Sequence, residues 1–159
     1  MQVPACGKTK WHWPLRPPIC GAESPAQPER LPQNEAVSGV LIEARSHRKL
    51  AFLPGLSSVG PELLELLSRC TIVLVDGTFW WEDELIEIEP NARCASEIGH
   101  LPISGANGSM AALSSLTGTR RIYIHINNTN PILDESSSQH RAVRDAGWEV
   151  AYDGMELVL

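Results

Sequence analysis

Two short apolar runs, both rich in β-branched residues, restrict what this chain can fold into. The first is TIVLVD at residues 71–76, and the second is RRIYIHI at residues 120–126. A run without polar alternation is typical of a strand buried on both faces, and such a strand needs helices to cover it. The segment GPELLELLSRC, which precedes the first run, has the leucine spacing of an amphipathic helix. The chain therefore predicts a mixed α/β fold in which helices flank a sheet.

The remaining segments fit the same plan. VSGVLIEA and LAFLPG predict two strands of a hairpin joined by the polar turn RSHRK, and Pro54 with Gly55 is expected to stop the second strand. Ser58 is a candidate N-cap for the first helix. Three further elements are predicted: a short helix over residues 109–116, a helix in SSSQHRAVRDAG that ends at Gly147, and closing strands in WEVAYDGMELVL.

The composition predicts one globular domain preceded by a tail. The chain has 159 residues, of which 43% are hydrophobic and 20% are charged, so it can bury a single core of modest size. Residues 1–36 contain seven of the 12 prolines and show no apolar periodicity, which predicts a proline-rich, disordered tail. Residues 37–159 are then the folded domain.

Charge and hydropathy narrow the function classes. The 13 basic and 19 acidic residues give a net charge of −6, which offers no basic footprint for nucleic acid. The apolar stretches fall far short of the roughly 18 residues that a spanning helix needs, and the N-terminus has no signal-peptide core. We therefore expect a cytoplasmic protein without a membrane segment. The four cysteines form no CxxC pair, and Cys70 is predicted to be a small apolar core residue.

Three residues that can bind a metal or transfer a proton lie at predicted strand or loop ends. Asp76 closes the first apolar run, His100 lies in the turn IGHLPISG, and His125 lies within the second run. Imidazole together with carboxylate suits Zn, Fe or Mn, but a mononuclear centre usually takes at least three protein ligands. Each residue also has a structural alternative: Asp76 as a turn cap, His100 as an exposed loop residue, and His125 as a buried histidine with both ring nitrogens hydrogen-bonded.

Two polar clusters lie close to these residues in the sequence. The amides of Asn127, Asn128 and Asn130 follow the second run, where they either orient a ligand or form turns before a proline; turns are favoured for most of them. The three acids at residues 82–84 follow two tryptophans and are expected to form the solvated first turn of a helix.

Several longer motifs carry a family resemblance. LAFLPGLSSVGPELLELL, LVDGTFWWEDELI, GHLPISGANGSMAAL and RRIYIHINNTNPIL occur in this order and are followed by AGWEVAYDGMEL. Together they resemble the C-terminal half of the coenzyme pyrroloquinoline quinone (PQQ) synthesis protein B family, over about residues 37–159. The resemblance implies the C-terminal half of a metallo-β-lactamase-like αββα sandwich, a layered α/β (α+β) fold.

The resemblance also implies roles for the site residues. Asp76 and His125 occupy the positions of a bridging aspartate and a final histidine that hold metal, and His100 is placed like a catalytic loop histidine. The turn after the second run is implied to shape the substrate site through three amides: Asn127, Asn128 and Asn130. The implied cofactor is a divalent metal, iron or zinc, and the ligands of the family's first half have no counterpart in residues 1–36.

The resemblance leaves four functions open. The first is PQQ biosynthesis by an iron-dependent hydroxylase, a metal-dependent oxidoreductase, that acts on the tyrosine of a Glu-Tyr precursor. The second is a carrier that takes PQQ or its precursor toward the periplasm. The third is a hydrolase of the general superfamily type. The fourth is an inactive fragment of a truncated protein. Half of a sandwich leaves one sheet face uncovered, so a dimer or a partner chain that completes the sandwich is also expected.

Overall fold

A six-stranded mixed sheet organises the residues that the structure describes, which are 29–30 and 37–159. The structure is a computed structural model. Within it the strands lie side by side in sequence order: β1 (Glu29–Arg30), β2 (Val37–Glu43), β3 (Lys49–Leu56), β4 (Ile72–Asp76), β5 (Arg120–Ile124) and β6 (Trp148–Val150). The first three strands pair antiparallel, and β3 to β6 run parallel to one another. The predicted hairpin and the predicted mixed α/β sheet are both present.

The described helices lie in the connections between the strands. They are α1 (Pro61–Ser68), α2 (Glu84–Ile88), α3 (Ser109–Ala112) and α4 (Ser138–Asp145), with 3₁₀ helices at Ser96–Ile98 and Pro131–Leu133. Parallel neighbours cannot be joined by a tight hairpin, so each connection from β3 onward crosses over the sheet. The long crossover between β4 and β5 carries α2 and α3, and it contains the loop on which His100 lies.

Local signals explain where the two longest helices begin and end. The hydroxyl of Ser137 accepts a hydrogen bond from the backbone N–H of His140 at 2.9 Å, which caps α4, and Gly147 adopts a left-handed φ of 76° just after its end. The predicted N-cap at Ser58 is wrong. α1 begins only at Pro61, because a proline at the first helical position has no N–H that needs a partner.

One face of the sheet carries the main hydrophobic core. Leu53, Val75 and Tyr123 are aligned across β3, β4 and β5, and none of them is exposed to solvent. Leu67 of α1 and Val143 of α4 are fully buried in the same core, so these helices cover this face. Close packing of this kind leaves little freedom for the strands, and it fixes where their carboxyl ends emerge.

The other face of the sheet is covered only in part. A small buried cluster there lies beneath the closing segment of the chain, and it consists of Leu50, Ile72 and Ile122. Three residues of the closing segment pack against it: Met155, Leu157 and Leu159. Toward the antiparallel edge, the side chains of Val40, Ile42 and Phe52 are exposed. The expected uncovered face is thus limited to this edge.

Three predicted boundaries differ from the structure. β3 continues through Pro54 to Leu56, because the register between β2 and β3 shifts there and a proline is tolerated at such a bulge. The helix predicted over residues 109–116 ends at Ala112, and the closing strands reduce to β6. The predicted tail falls almost wholly on residues outside the described ones, apart from the short strand β1, which pairs with β2.

Two simpler expectations concern single features of the described residues. Cys70 is 4% exposed and belongs to the main core, which confirms its prediction as a small buried residue. Among residues 37–159, no helix has both the length and the apolar character needed to cross a bilayer.

Candidate metal centre

Asp76 is a fully buried carboxylate at the carboxyl end of β4. A buried charge is costly unless it is hydrogen-bonded, and here two backbone groups provide that compensation. The N–H of Leu56 donates to Oδ2 at 3.1 Å, and the N–H of Thr78 donates to Oδ1 at 3.1 Å. Gly77 lies between them at a close approach of the strands, because a Cβ at this position would lie only 3.0 Å from the Cβ of Tyr123. The carboxylate is therefore held by the ends of two neighbouring strands.

His100 lies against this carboxylate. It follows Gly99, whose φ of 88° turns the chain at the end of a 3₁₀ helix. Its Nδ1 lies 2.6 Å from Oδ2 of Asp76, and because an ionised carboxylate only accepts, Nδ1–H is the donor. The edge of Phe79 packs on the imidazole at a centroid distance of 5.8 Å. His100 is thus oriented on one side by a charge-assisted hydrogen bond and on the other by an aromatic ring.

His125 lies just after β5 and not within it, which corrects the prediction of a buried histidine inside an apolar strand. Its backbone has a left-handed φ of 52°, and 53% of its side chain is exposed. The ring stacks on that of His100 with centroids 5.5 Å apart. Its Nδ1 lies 2.8 Å from the hydroxyl of Thr78 and 3.5 Å from Oδ1 of Asp76. The structure therefore brings the three predicted residues together at one edge of the sheet.

Thr78 is a member of this site that the sequence reasoning missed. Its hydroxyl contacts Asp76 as well as both histidines, and the residue is only 7% exposed. The available signal was a hydroxyl placed two residues after a carboxylate at a strand end, but turns in general show the same pattern. Only the fold shows that the hydroxyl reaches residues that lie 22 and 47 positions away.

The chemistry of these groups fits a divalent metal. Asp76, His100 and His125 each offer one ligand atom, and these atoms all lie within 4.8 Å of one another. Two imidazoles and a carboxylate are ligands that first-row metals such as Zn and Fe accept, and three is the usual minimum for a mononuclear centre. The carboxylate already accepts four hydrogen bonds, two from backbone groups and two from side chains. A metal on Asp76 would therefore replace the hydrogen bond from the Thr78 hydroxyl, which can donate instead to the carbonyl oxygen of His125, 3.0 Å away.

Of the three amides proposed to bind substrate, one is exposed and two are held by hydrogen bonds. Asn128 is exposed, whereas the Asn127 amide donates to the hydroxyl of Thr129 at 2.7 Å. Asn130 is 2% exposed, donates to the carbonyl of Gly77 at 2.9 Å and accepts from the N–H of Ile132 at 3.1 Å. Asn130 thus shapes the site by holding the loop after His125 against the end of β4.

Glu84 is a second residue whose position the sequence did not indicate. The expectation of a solvated acidic turn at residues 82–84 is wrong for this residue, which is 3% exposed. Its carboxylate accepts from the backbone N–H of Trp80 at 2.6 Å and from the hydroxyl of Thr129 at 2.5 Å. The burial follows from this link, because α2 and the loop after β5 pack together around one shared carboxylate.

Comparison with known proteins assigns the chain to a family. A family model described as the beta-lactamase superfamily domain matches residues 19–126, a span that contains Asp76, His100 and His125. The chain belongs to the beta-lactamase superfamily. Membership confirms the metallo-β-lactamase-like fold class that the sequence motifs implied.

Within the beta-lactamase superfamily, the chain is similar to proteins named coenzyme PQQ synthesis protein B. It is 45% identical to that of Methylococcus capsulatus over 137 residues, which cover 85% of this chain and 45% of the relative. With that of Methylobacillus flagellatus it shares 43% identity over 140 residues, covering 87% and 46% of the two chains. The chain spans about half the length of the curated relatives it matches. The predicted resemblance is confirmed.

A solved structure agrees with the sequence relatives. The crystal structure of Zn²⁺-bound PqqB from Methylobacterium extorquens superimposes with a TM-score of 0.71 and 37% sequence identity, over 76% of this chain and 40% of that chain. The similarity in fold and sequence therefore extends to a protein whose crystal structure is zinc-bound.

Proposed function

We propose that this chain acts in PQQ biosynthesis and that it holds a divalent metal at the Asp76 site. The observation that carries the proposal is the convergence of one buried carboxylate and two imidazoles within 4.8 Å at the carboxyl ends of β4 and β5. The similarity to coenzyme PQQ synthesis protein B, and to a zinc-bound PqqB, supports both the pathway and the metal. The substrate is a small molecule or peptide-derived PQQ precursor.

Asp76 and His125 are the metal ligands proposed among the described residues, and the metal is iron or zinc. A mononuclear centre usually takes at least three protein ligands, so these two form part of its ligand set. Asp76 is suited because two backbone N–H groups fix its carboxylate whichever side-chain hydrogen bond is exchanged. His125 is suited because about half of its side chain is exposed and its Nδ1 lies 3.5 Å from Oδ1 of Asp76. A metal bound here would supply a Lewis acid, or a redox centre if it is iron.

His100 is the proposed proton-transfer residue. Because Nδ1–H is donated to Asp76, the neutral ring carries its lone pair on Nε2, the nitrogen that can accept a proton from a substrate. The carboxylate stabilises the imidazolium that results, as an aspartate does in other histidine-aspartate pairs. We further propose that the reaction is hydroxylation of the tyrosine in a Glu-Tyr precursor, with dioxygen as the oxidant and an external reductant.

Thermal unfolding with added Zn(II) or Fe(II) tests the metal site. At a metal concentration about 100 times Kd, binding to the folded chain adds about 2.7 kcal/mol of stability. Each kcal/mol raises Tm by about 2–4 °C for a domain of this size, so we expect a rise of about 5–10 °C. His125→Ala should lose most of this rise.

His47→Ala is the matched control for that variant. His47 and His125 are the two non-glycine residues with positive φ among those described, and both are exposed histidines. Substitution at His47 should leave the metal-dependent rise unchanged, because its Nδ1 contacts only Glu43 among the described partners. A wild-type Tm that does not respond to metal would contradict the proposal. If PQQ itself raised Tm without metal, the carrier function would be favoured instead.

A further inference from the structure

The hydroxyl of Thr78 lies within hydrogen-bond distance of four polar atoms. It is 2.5 Å from Oδ1 of Asp76, 2.8 Å from Nδ1 of His125, 3.0 Å from the carbonyl oxygen of His125 and 3.1 Å from Nδ1 of His100. A threonine hydroxyl has one hydrogen to donate and two lone pairs that accept. At most three of the four contacts can therefore be hydrogen bonds at the same time. The direction of donation in each can be assigned from the chemistry of the partner atoms.

The Thr78 hydroxyl donates its single hydrogen to Asp76. Oδ1 of an ionised carboxylate cannot donate, so a separation of 2.5 Å requires the hydrogen to lie between the two oxygens. The carbonyl of His125 is a neutral acceptor at a longer distance, and it cannot hold the same hydrogen as well. The lone pairs of the Thr78 oxygen are then free to accept from ring N–H groups.

The donor to those lone pairs is His125. Nδ1–H of His100 has a closer and charged acceptor in Oδ2 of Asp76, at 2.6 Å against 3.1 Å to the hydroxyl. Nδ1 of His125 has no comparable choice, because Asp76 is 3.5 Å away and Thr78 is 2.8 Å away. The bonds form a chain in which His125 Nδ1–H donates to Thr78 and Thr78 donates to Asp76.

We propose that Thr78 is a positioning residue that fixes His125 in its Nδ1–H tautomer and thereby presents Nε2 as the nitrogen with the free lone pair. The value of that lone pair as a metal ligand rests on the proposed metal site. The backbone of Thr78 acts in the same direction, because its carbonyl accepts the N–H of Asn127 at 3.1 Å and holds the loop after His125. Hydrogen bonds of this kind typically change metal affinity by about 10–100-fold.

Two variants separate the hydroxyl from the packing of the side chain. Thr78→Val keeps the shape and removes the hydroxyl, whereas Thr78→Ser keeps the hydroxyl and removes a methyl group. Long-range ¹H–¹⁵N spectra of the imidazoles report the tautomer directly, and they are recorded without metal at an alkaline pH where the rings are neutral. We expect the Nδ1–H form of His125 in the wild type and in Thr78→Ser. Thr78→Val should move His125 toward the Nε2–H form that a free imidazole prefers in water.

His140 is an internal reference for these spectra. Its Nδ1 lies 2.7 Å from the carbonyl of Ile132, so it donates Nδ1–H there, and its tautomer should be the same in all three proteins. A wild-type His125 in the Nε2–H form would overturn the inference without any variant, so it stays falsifiable even if Thr78→Val does not fold. An unchanged His125 tautomer in folded Thr78→Val would overturn it as well.

Titration with Co(II) or Zn(II) gives the second readout. Thr78→Val should bind about 10–100-fold more weakly than the wild type, and Thr78→Ser should recover most of the affinity. If the wild type binds metal and Thr78→Val binds it equally well, the positioning role fails while the metal site stands. If the wild type binds no metal but the tautomer of His125 depends on Thr78, the proposed metal function fails and the positioning role stands.

Discussion

Replacing Asn130 with alanine removes the side chain that joins the loop after β5 to the end of β4. Asn130 is 2% exposed, and both ends of its amide are used. Nδ2 donates to the carbonyl of Gly77 at 2.9 Å, and Oδ1 accepts from the N–H of Ile132 at 3.1 Å. Alanine therefore leaves a carbonyl and an N–H of two buried residues without their protein partners.

The expected loss of stability follows from those two groups. A buried polar group that loses its partner costs about 1–3 kcal/mol, and the space vacated by the amide admits some water. We expect Asn130→Ala to lower the free energy of unfolding by about 2–4 kcal/mol, a large part of the roughly 5–15 kcal/mol typical of a domain.

Urea denaturation followed by fluorescence or circular dichroism measures this loss. The midpoint should fall while the slope m stays constant, since the substitution changes little of the surface exposed on unfolding. Asn128→Ala is the control, because Asn128 is exposed and its replacement should change stability by less than about 0.5 kcal/mol. Equal midpoints for Asn130→Ala and the wild type would refute the reasoning and return Asn130 to the set of residues free to bind substrate.

Three further predictions concern buried side chains. Burial raises the pKa of the Tyr123 phenol above the ordinary 10.0. The contribution of this group to stability is therefore fully present below pH 10.0 and is lost as the pH rises further. Urea midpoints measured against pH should show a smaller loss in Tyr123→Phe than in the wild type, and an unchanged loss in Tyr152→Phe. Burial also raises the pKa of the Cys70 thiol, so iodoacetamide should label Cys70 of the native protein more slowly than Cys94. Peptide mapping measures both rates, and equal rates would argue against this prediction. Leu53→Ala should cost about 2–5 kcal/mol in the same urea assay, because Leu53 is fully buried.

The sequence places Asp76, His100 and His125 at strand or loop ends, and the fold brings them together for a physical reason. The apolar runs before Asp76 and His125 indicate buried strands, and parallel neighbours place their carboxyl ends at the same edge of a sheet. The two strands are indeed adjacent, as β4 and β5. His100 reaches the same edge because a glycine-rich loop can approach closely, a property that the glycines at 99 and 105 indicate.

Other parts of the site depend on tertiary packing that no local pattern encodes. Glu84 is one of three consecutive acids, and only the approach of the loop after β5 selects it for burial. The exposure of His125 follows from β5 ending two residues earlier than the apolar run suggests, with the chain turning through a positive φ. The role of Thr78 requires knowing which side chains meet its hydroxyl, and those lie far away in the sequence.

The hydrogen bonds of Asp76 have a consequence for the order of events during folding. The carboxylate is bonded to Leu56, 20 positions earlier, and Thr78 is bonded to His125, 47 positions later. The first contact requires β4 to pair with β3, and the second requires β4 to pair with β5. Each pairing must first close a loop at an entropic cost. The imidazole of His125 should therefore reach its native environment only once the parallel strands β4 and β5 have paired.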